Sequence, residues 1–137
     1  MSITIYTDGS SKGNPGPGGW GAHIITENKV YEIYGRKKMT TNNEMELQGA
    51  IEALKFFPES EKITLYTDSA YVLNGITKWV KNWKKNGWKR KQNMELKNKE
   101  QWIELDSLNQ KHEVNWLKVK AHSGDYGNER ADYLATF

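Results

Sequence analysis

The stem Tyr-Thr-Asp occurs twice, each time at the end of an alternating run: Ile3-Thr4-Ile5-Tyr6-Thr7-Asp8-Gly9 and Ile63-Thr64-Leu65-Tyr66-Thr67-Asp68-Ser69. Alternation of this kind predicts β-strands, and in open α/β sheets ligands gather beyond the carboxyl ends of strands. Two strands that each finish on aspartate would deliver two carboxylates to one place. Glu46, in the first turns of a predicted helix and beside its apolar stripe, can supply a third. Asp132 can supply a fourth, since it lies one helical turn beyond Asn128 on a shared face. Converging carboxylates suit hard cations such as Mg²⁺ or Mn²⁺ far better than Zn²⁺ or copper. Two such ions would balance four negative charges. A pair about 3.5–4 Å apart can activate a water on one side of a phosphate and stabilise the leaving oxygen on the other. Singly, each acid has a structural explanation as a turn former, a helix-dipole partner or a surface residue. Chance capping does not require the same preceding residues twice.

Positioning four acids needs a sheet and at least two helices, and the hydrophobic pattern supplies them. Residues 2 to 8 read as a first strand, and Gly18 to Glu27 with Lys29 to Gly35 as a hairpin beside it, turning at Glu27-Asn28-Lys29. Gly13-Asn14-Pro15-Gly16-Pro17-Gly18-Gly19 reads as a loop whose backbone can approach a ligand closely. Thr41 with Glu44 three residues on marks a helix start, followed by Leu47, Ala50, Ile51 and Leu54 at helical spacing, with Pro58 as the stop. The second Tyr-Thr-Asp strand, 62 to 67, follows a helix of crossover length, as a parallel connection requires. One or two helical pieces over 69 to 86, a charged helix from about Asn98 to Gln110, a strand from Glu113 to Val119 and a helix from about Tyr126 complete the chain. The last helix should bury Ala131, Leu134 and Ala135. The order is β-β-β-α-β-α-α-β-α, which predicts an α/β fold with a mixed five-stranded sheet: three antiparallel strands, then parallel ones.

Composition narrows the class. At 137 residues the expectation is one domain, residues 1–137, with no export signal and no apolar run long enough to cross a bilayer. That points to a cytoplasmic monomer without an obligate protein partner. The chain has no cysteine, which excludes thiolate metal sites and cysteine nucleophiles. The net charge is +3, and the basic excess is concentrated in Lys78, Lys81, Lys84, Lys85, Lys89, Arg90 and Lys91, a stretch that no acid interrupts. Trp79, Trp83 and Trp88 interleave with these cations, as expected of a surface that tracks phosphates while rings meet sugars. The glycine-rich loop is not a nucleotide-triphosphate site, because it lacks a Gly-Lys-(Ser/Thr) ending.

Four ordered blocks together resemble type 1 ribonuclease H over nearly the whole chain. They are Tyr6-Thr7-Asp8-Gly9-Ser10 with the glycine-rich loop, Thr40-Thr41-Asn42-Asn43-Glu44-Met45-Glu46-Leu47, Tyr66-Thr67-Asp68-Ser69, and Val119-Lys120-Ala121-His122-Ser123-Gly124 with Asn128-Glu129-Arg130-Ala131-Asp132. The resemblance implies a ribonuclease H-like fold with helices on both faces of the sheet. It implies Asp8, Glu46, Asp68 and Asp132 as catalytic ligands of two Mg²⁺ ions, with Mn²⁺ as the alternative. It further implies that the RNA strand of an RNA–DNA hybrid is cut to 3′-hydroxyl and 5′-phosphate ends. His122, in a glycine-containing loop, would assist proton transfer and product release.

For substrate, the resemblance places Gly13, Asn14, Asn42 and Asn43 along the minor groove near the RNA, where the 2′-hydroxyl separates RNA from DNA. Thr41 would help hold a DNA phosphate while capping its helix. The basic segment resembles the basic protrusion of the bacterial enzymes; Val72, Ile76, Trp79, Val80 and Trp83 fall at helical spacing, which assigns Trp83 to the core and leaves Trp79, Trp88, Lys84 and Lys85 for the DNA strand. Ala70 stands where many relatives carry glutamine, which would remove one RNA contact. The last helix is short, so Asp132 should be the least securely held ligand unless Tyr133, Leu134 or Phe137 docks. A hybrid-binding module without catalysis is the competing reading, but clustered acids near phosphates give a pure binder no advantage. A relative of the same fold acting on DNA is a third, against which the basic segment and Asn42-Asn43 speak.

Overall fold

A computed structural model describes residues 2–90, 94–119 and 125–137. Its centre is a five-stranded sheet in the order β3-β2-β1-β4-β5. Strands β1 (Ile3–Ser11), β2 (Gly16–Ile25) and β3 (Val30–Thr40) pair antiparallel, while β4 (Lys62–Thr67) and β5 (Glu113–Lys118) extend the sheet in parallel from β1. Helix α1 (Asn42–Lys55) crosses from β3 to β4, and α5 (Tyr126–Thr136) ends the chain. Between β4 and β5 run α2 (Ala70–Asn74), a π-helical stretch over Gly75–Trp79, α3 (Val80–Lys85) and α4 (Lys99–Lys111).

Odd-numbered β1 residues Ile3 and Ile5 join Ala22, Ile24, Ile63 and Leu65 on one face and bury against Leu47, Ala50, Ile51 and Leu54 of α1. Each isoleucine and leucine among them contributes about 1.5–3 kcal/mol when fully buried. The other face receives α5. Gly21 of β2 lets the helix sit directly on the sheet, since a Cβ there would stand 2.4 Å from Leu134 Cβ and 2.8 Å from the Ala131 carbonyl oxygen. Ala131, Leu134 and Ala135 are buried as expected. Helix α1 starts where Thr41 predicts, with Thr41 Oγ1 accepting from the Glu44 amide at 3.1 Å. Ser69 caps α2 in the same way, accepting from Val72 at 3.1 Å.

Two expectations need correction. The glycine-rich segment does not interrupt the sheet from 13 to 19: β1 continues to Ser11, β2 begins at Gly16 and β3 reaches Thr40, so only residues 12–15 form the loop. Ser10 and Ser11 pair with Gly19 and Gly18, and Gly16 pairs with Thr40. Here the glycines act as spacers, for a Cβ on Gly18 would lie 2.4 Å from the Ser10 carbonyl oxygen and one on Gly19 2.7 Å from that of Ala135. Tertiary pairing overrides a poor local strand preference. Consequently Asp8 does not end β1; it lies within the strand, and what ends beside it is the parallel ladder to β4.

His23 and His112, which the sequence leaves without a role, are buried structural residues. His23 Nδ1 lies 2.8 Å from Glu32 Oε2, and His112 Nε2 lies 2.9 Å from the Leu54 carbonyl oxygen. Among the described residues, no helix is long and apolar enough to cross a membrane.

Candidate active site

Strands β1 and β4 run in register, with Tyr6 opposite Tyr66 and Thr7 opposite Thr67. The tyrosine rings stack at 4.8 Å, and both threonines are buried. The ladder stops there, so Asp8 and Asp68 emerge side by side. Gly9 brings in the third acid. A Cβ on it would stand 2.2 Å from the Met45 carbonyl carbon and 2.3 Å from the Glu46 amide nitrogen, so only glycine lets the first turns of α1 press on β1. Each of Asp8, Glu46 and Asp68 offers one carboxylate oxygen, and these oxygens all lie within 4.8 Å of one another.

Such proximity is electrostatically costly when the site holds no cation. Asp8, 6 % exposed, has its pKa raised to about 8, first by burial and then by the Asp68 charge, with Asp132 adding to the shift. The Gly9 amide, 2.8 Å from Asp8 Oδ1, opposes the shift. Glu46 is raised well above the ordinary carboxylate value by burial, then by Asp8 and Asp68. Its Oε1 is buried without a hydrogen-bond partner among the described residues. Like charges crowded out of water favour protons or a metal in their midst. The three acids and the orphaned oxygen fit a divalent cation bound through oxygen.

Asp132 stands apart from this trio. It interacts with Asp8, to whose raised pKa it contributes, and it belongs to α5. That helix is well seated. Asp125 caps it, accepting from the Gly127 amide at 3.1 Å, and Gly127 rests on the Tyr6 ring, where a Cβ would come within 2.2 Å. Leu134 supplies the docking on which the sequence made Asp132 depend, being 4 % exposed. His122 lies outside the described residues.

Of the expected substrate residues, Asn14, Thr41, Asn42 and Asn43 line a groove of about 700 Å³ together with Trp83 and Arg90, among others. Gly13 supports its turn at φ 90°, a left-handed conformation natural to glycine. The Asn42 amide donates to Asn14 Oδ1 at 2.8 Å, and the Ser11 amide donates to Asn42 Oδ1 at 3.0 Å. This knot commits the oxygen ends of both side chains and leaves their amide N–H groups as the ends available to a ligand. Ser11, which no sequence signal singled out, ties the knot. Trp83 is half-buried against Trp102 at 5.2 Å and also lines the groove, so core packing and groove lining coincide in one ring. Trp88 lines an adjoining groove of about 750 Å³ with Lys89 and Gln101, whereas Trp79 packs on Tyr71 and Trp83. Lys84 is paired with Asp106 at 3.1 Å; Lys85 is exposed. Ala70 opens α2 and is exposed.

A mixed sheet that gathers carboxylates beside the end of a parallel ladder is suited to hold divalent cations of the kind that assist phosphodiester hydrolysis. The RNase H family model matches residues 1–137, and the chain belongs to the type 1 ribonuclease H family. It is 55% identical over 133 residues to the ribonuclease H of Francisella tularensis subsp. novicida (strain U112), covering 97% of this chain and 88% of that protein. Ribonuclease H of Francisella philomiragia subsp. philomiragia is 54% identical over 134 residues, with 98% and 88% covered. Among solved structures, LC9-RNase H1, a type 1 RNase H with the type 2 active-site motif, is similar at TM-score 0.85 and 31% identity, covering 98% of this chain and 70% of that one. LC11-RNase H1, solved in complex with an RNA/DNA hybrid, shares the fold at TM-score 0.71 and 24% identity, with 97% and 93% covered. The nuclease activity expected from the motifs is the activity of this family.

Proposed function

We propose that this chain hydrolyses the RNA strand of RNA–DNA hybrids with two divalent ions, Mg²⁺ by preference, leaving 3′-hydroxyl and 5′-phosphate ends. The observation that carries the reading is the carboxylate trio, within 4.8 Å and held in a fold that raises the pKa of two members. Asp8, Glu46 and Asp68 would hold the metals, with Asp132 completing the set from α5. When bound, the ions supply charge neutralisation and a polarised water for attack at phosphorus. The protein supplies the geometry: Gly9 keeps Glu46 against Asp8, and the sheet fixes Asp8 relative to Asp68. His122 would take or return a proton near the leaving group.

Substrate choice is carried by the groove. The N–H ends of Asn14 and Asn42 suit minor-groove acceptors and 2′-hydroxyl oxygens, which every ribonucleotide presents, so cleavage has little sequence preference. Asn43 and Thr41 would add a contact each. Lys85, Trp88 and Lys89 would follow the DNA strand. Labelled hybrid, RNA duplex and DNA duplex are to be incubated with Mg²⁺ and the protein or its Asp8→Asn variant. Cleavage confined to the hybrid's RNA strand and lost in the variant is expected. Binding without cleavage, or cleavage of DNA, would refute the assignment.

A further inference from the structure

We infer that Arg36 and Glu32, both on β3, are positioning residues that set the reach of Asp132 into the metal site. The inference rests on the two-metal reading above. Asp132 is the acid outside the 4.8 Å trio, so its distance to Asp8 is fixed by how α5 sits. Burial of Ala131, Leu134 and Ala135 holds the helix on the sheet, and polar contacts from β3 add restraints against rotation about its axis and slip along it.

Glu32 restrains the rotation. Arg130 grips it through both branches of the guanidinium, Nε to Oε2 and Nη2 to Oε1, each at 2.7 Å. Glu32 is itself held by His23, its register partner on β2, whose Nδ1 also meets Oε2 at 2.8 Å. Arg130 and Asp132 are two residues apart, about 200° around a helix of 3.6 residues per turn. A turn that releases Arg130 therefore swings Asp132 the opposite way.

Arg36 restrains the slip. Its Nη1 donates to the Leu134 carbonyl oxygen at 2.8 Å and its Nη2 to that of Phe137 at 2.9 Å. One planar fork thus spans the last turn of α5, where a cation also complements the helix dipole. The Phe137 ring covers the guanidinium at 4.4 Å and stacks on Tyr133 at 5.2 Å. Gly19 leaves the space, since a Cβ there would come within 2.4 Å of Arg36 Nη1. Both clamps are anchored in the antiparallel half of the sheet, which continues through β2 to Asp8, so Asp8 and Asp132 are tied to one frame.

The test is calorimetric titration of the metal-free full chain with Mg²⁺ and with Mn²⁺, for wild type, Arg36→Ala and Glu32→Gln, each with and without Asp132→Asn. Hybrid KM and kcat are measured alongside, below the melting temperature of every variant. Each clamp variant should weaken metal binding roughly tenfold, the scale for outer partners of metal ligands, and lower kcat at limiting metal while leaving KM unchanged. In the Asp132→Asn background the clamp substitutions should have no further effect on metal affinity. Unchanged affinity in both single variants, or equal weakening with and without Asp132, would overturn the inference. If Arg36→Ala fails to fold, Arg36→Lys carries the same test, because one ammonium cannot bridge both carbonyls. A wild type that binds no Mg²⁺ would overturn the two-metal reading itself, a different result from metal binding that ignores the clamps.

Discussion

Replacing Asp8 by asparagine should abolish cleavage and, without metal, stabilise the protein. The folded state holds the Asp8 proton to about pH 8 against a reference of 3.8, because the side chain is buried beside Asp68. For an acid with a raised folded pKa, the native state binds the proton more tightly than the unfolded chain. Its contribution is therefore present at low pH and lost as pH rises from about 4 to about 8. Four units would amount to about 6 kcal/mol, of which about 4 kcal/mol has been lost by neutral pH, at 1.36 kcal/mol per unit. That figure is a ceiling, since Glu46 shares the same repulsion and an asparagine amide still needs partners. A gain of about 1–3 kcal/mol is the reasonable expectation, or a melting temperature higher by roughly 3–9 °C for a chain of this size. Thermal and urea unfolding in EDTA at about pH 5 and about pH 8 would measure it, and the gain should grow with pH. Mg²⁺ should reverse the ranking, because wild type gains binding energy that the variant forfeits. A variant no more stable than wild type in EDTA at the higher pH would refute the account of the site as a frustrated carboxylate cluster.

Other outcomes follow from the same geometry. Gly9→Ala, which forces a methyl into the α1 backbone, should cost about 2–4 kcal/mol in urea unfolding, the range of severe packing lesions, and lower metal affinity by displacing Glu46. Asn14→Asp keeps the acceptor used by the Asn42 amide but removes the N–H donors. Stability should stay within about 0.5 kcal/mol while hybrid KM rises roughly tenfold, as steady-state kinetics will show. In salt titrations of hybrid binding, neutralising Lys85 and Lys89 together should reduce the logarithmic slope by about 1–2, whereas Lys84→Ala should change it less, because Lys84 already pairs with Asp106.

Periodicity made most of the fold legible. Leu47, Ala50, Ile51 and Leu54 do form the buried stripe of α1, and 62–67 are the bounds of β4, because strand and helix spacing there agree with burial. The glycine-rich segment misled, since turn propensity is local while the pairing of Gly16 to Gly19 with β1 and β3 is not. The π-helical stretch had no signal either; it lies where Gly75 admits the ring of Trp102, a residue distant in sequence. Trp83 shows a further limit. Helical spacing assigned it to the core, and it packs there, yet the same ring lines the groove. The clamps on α5 were invisible, since Glu32 read as an ordinary polar strand position and Arg36 fell just beyond the predicted strand, which β3 overruns to Thr40.

The repeated Tyr-Thr-Asp was legible as a site for a reason the strands explain. Two identical stems in adjacent parallel strands place identical residues in register: tyrosine stacks on tyrosine, threonine lies opposite buried threonine, and aspartate follows beside aspartate. The stems differ in the fourth residue because the two strands differ in what comes next. After Asp68 the chain turns into a helix, and Ser69 caps it. After Asp8 the strand continues against β2, and Gly9 clears the way for α1 and Glu46. Exchanging these fourth residues should therefore be asymmetric. Gly9→Ser would drive side-chain atoms into the α1 backbone and damage both folding and metal binding. Ser69→Gly would remove one helix cap, a cost of only a few tenths of a kcal/mol, and leave Asp68 in place. Equal losses of metal affinity in the two variants, measured by Mg²⁺ titration, would mean that the close approach of α1 over Gly9 does not place Glu46 in the site.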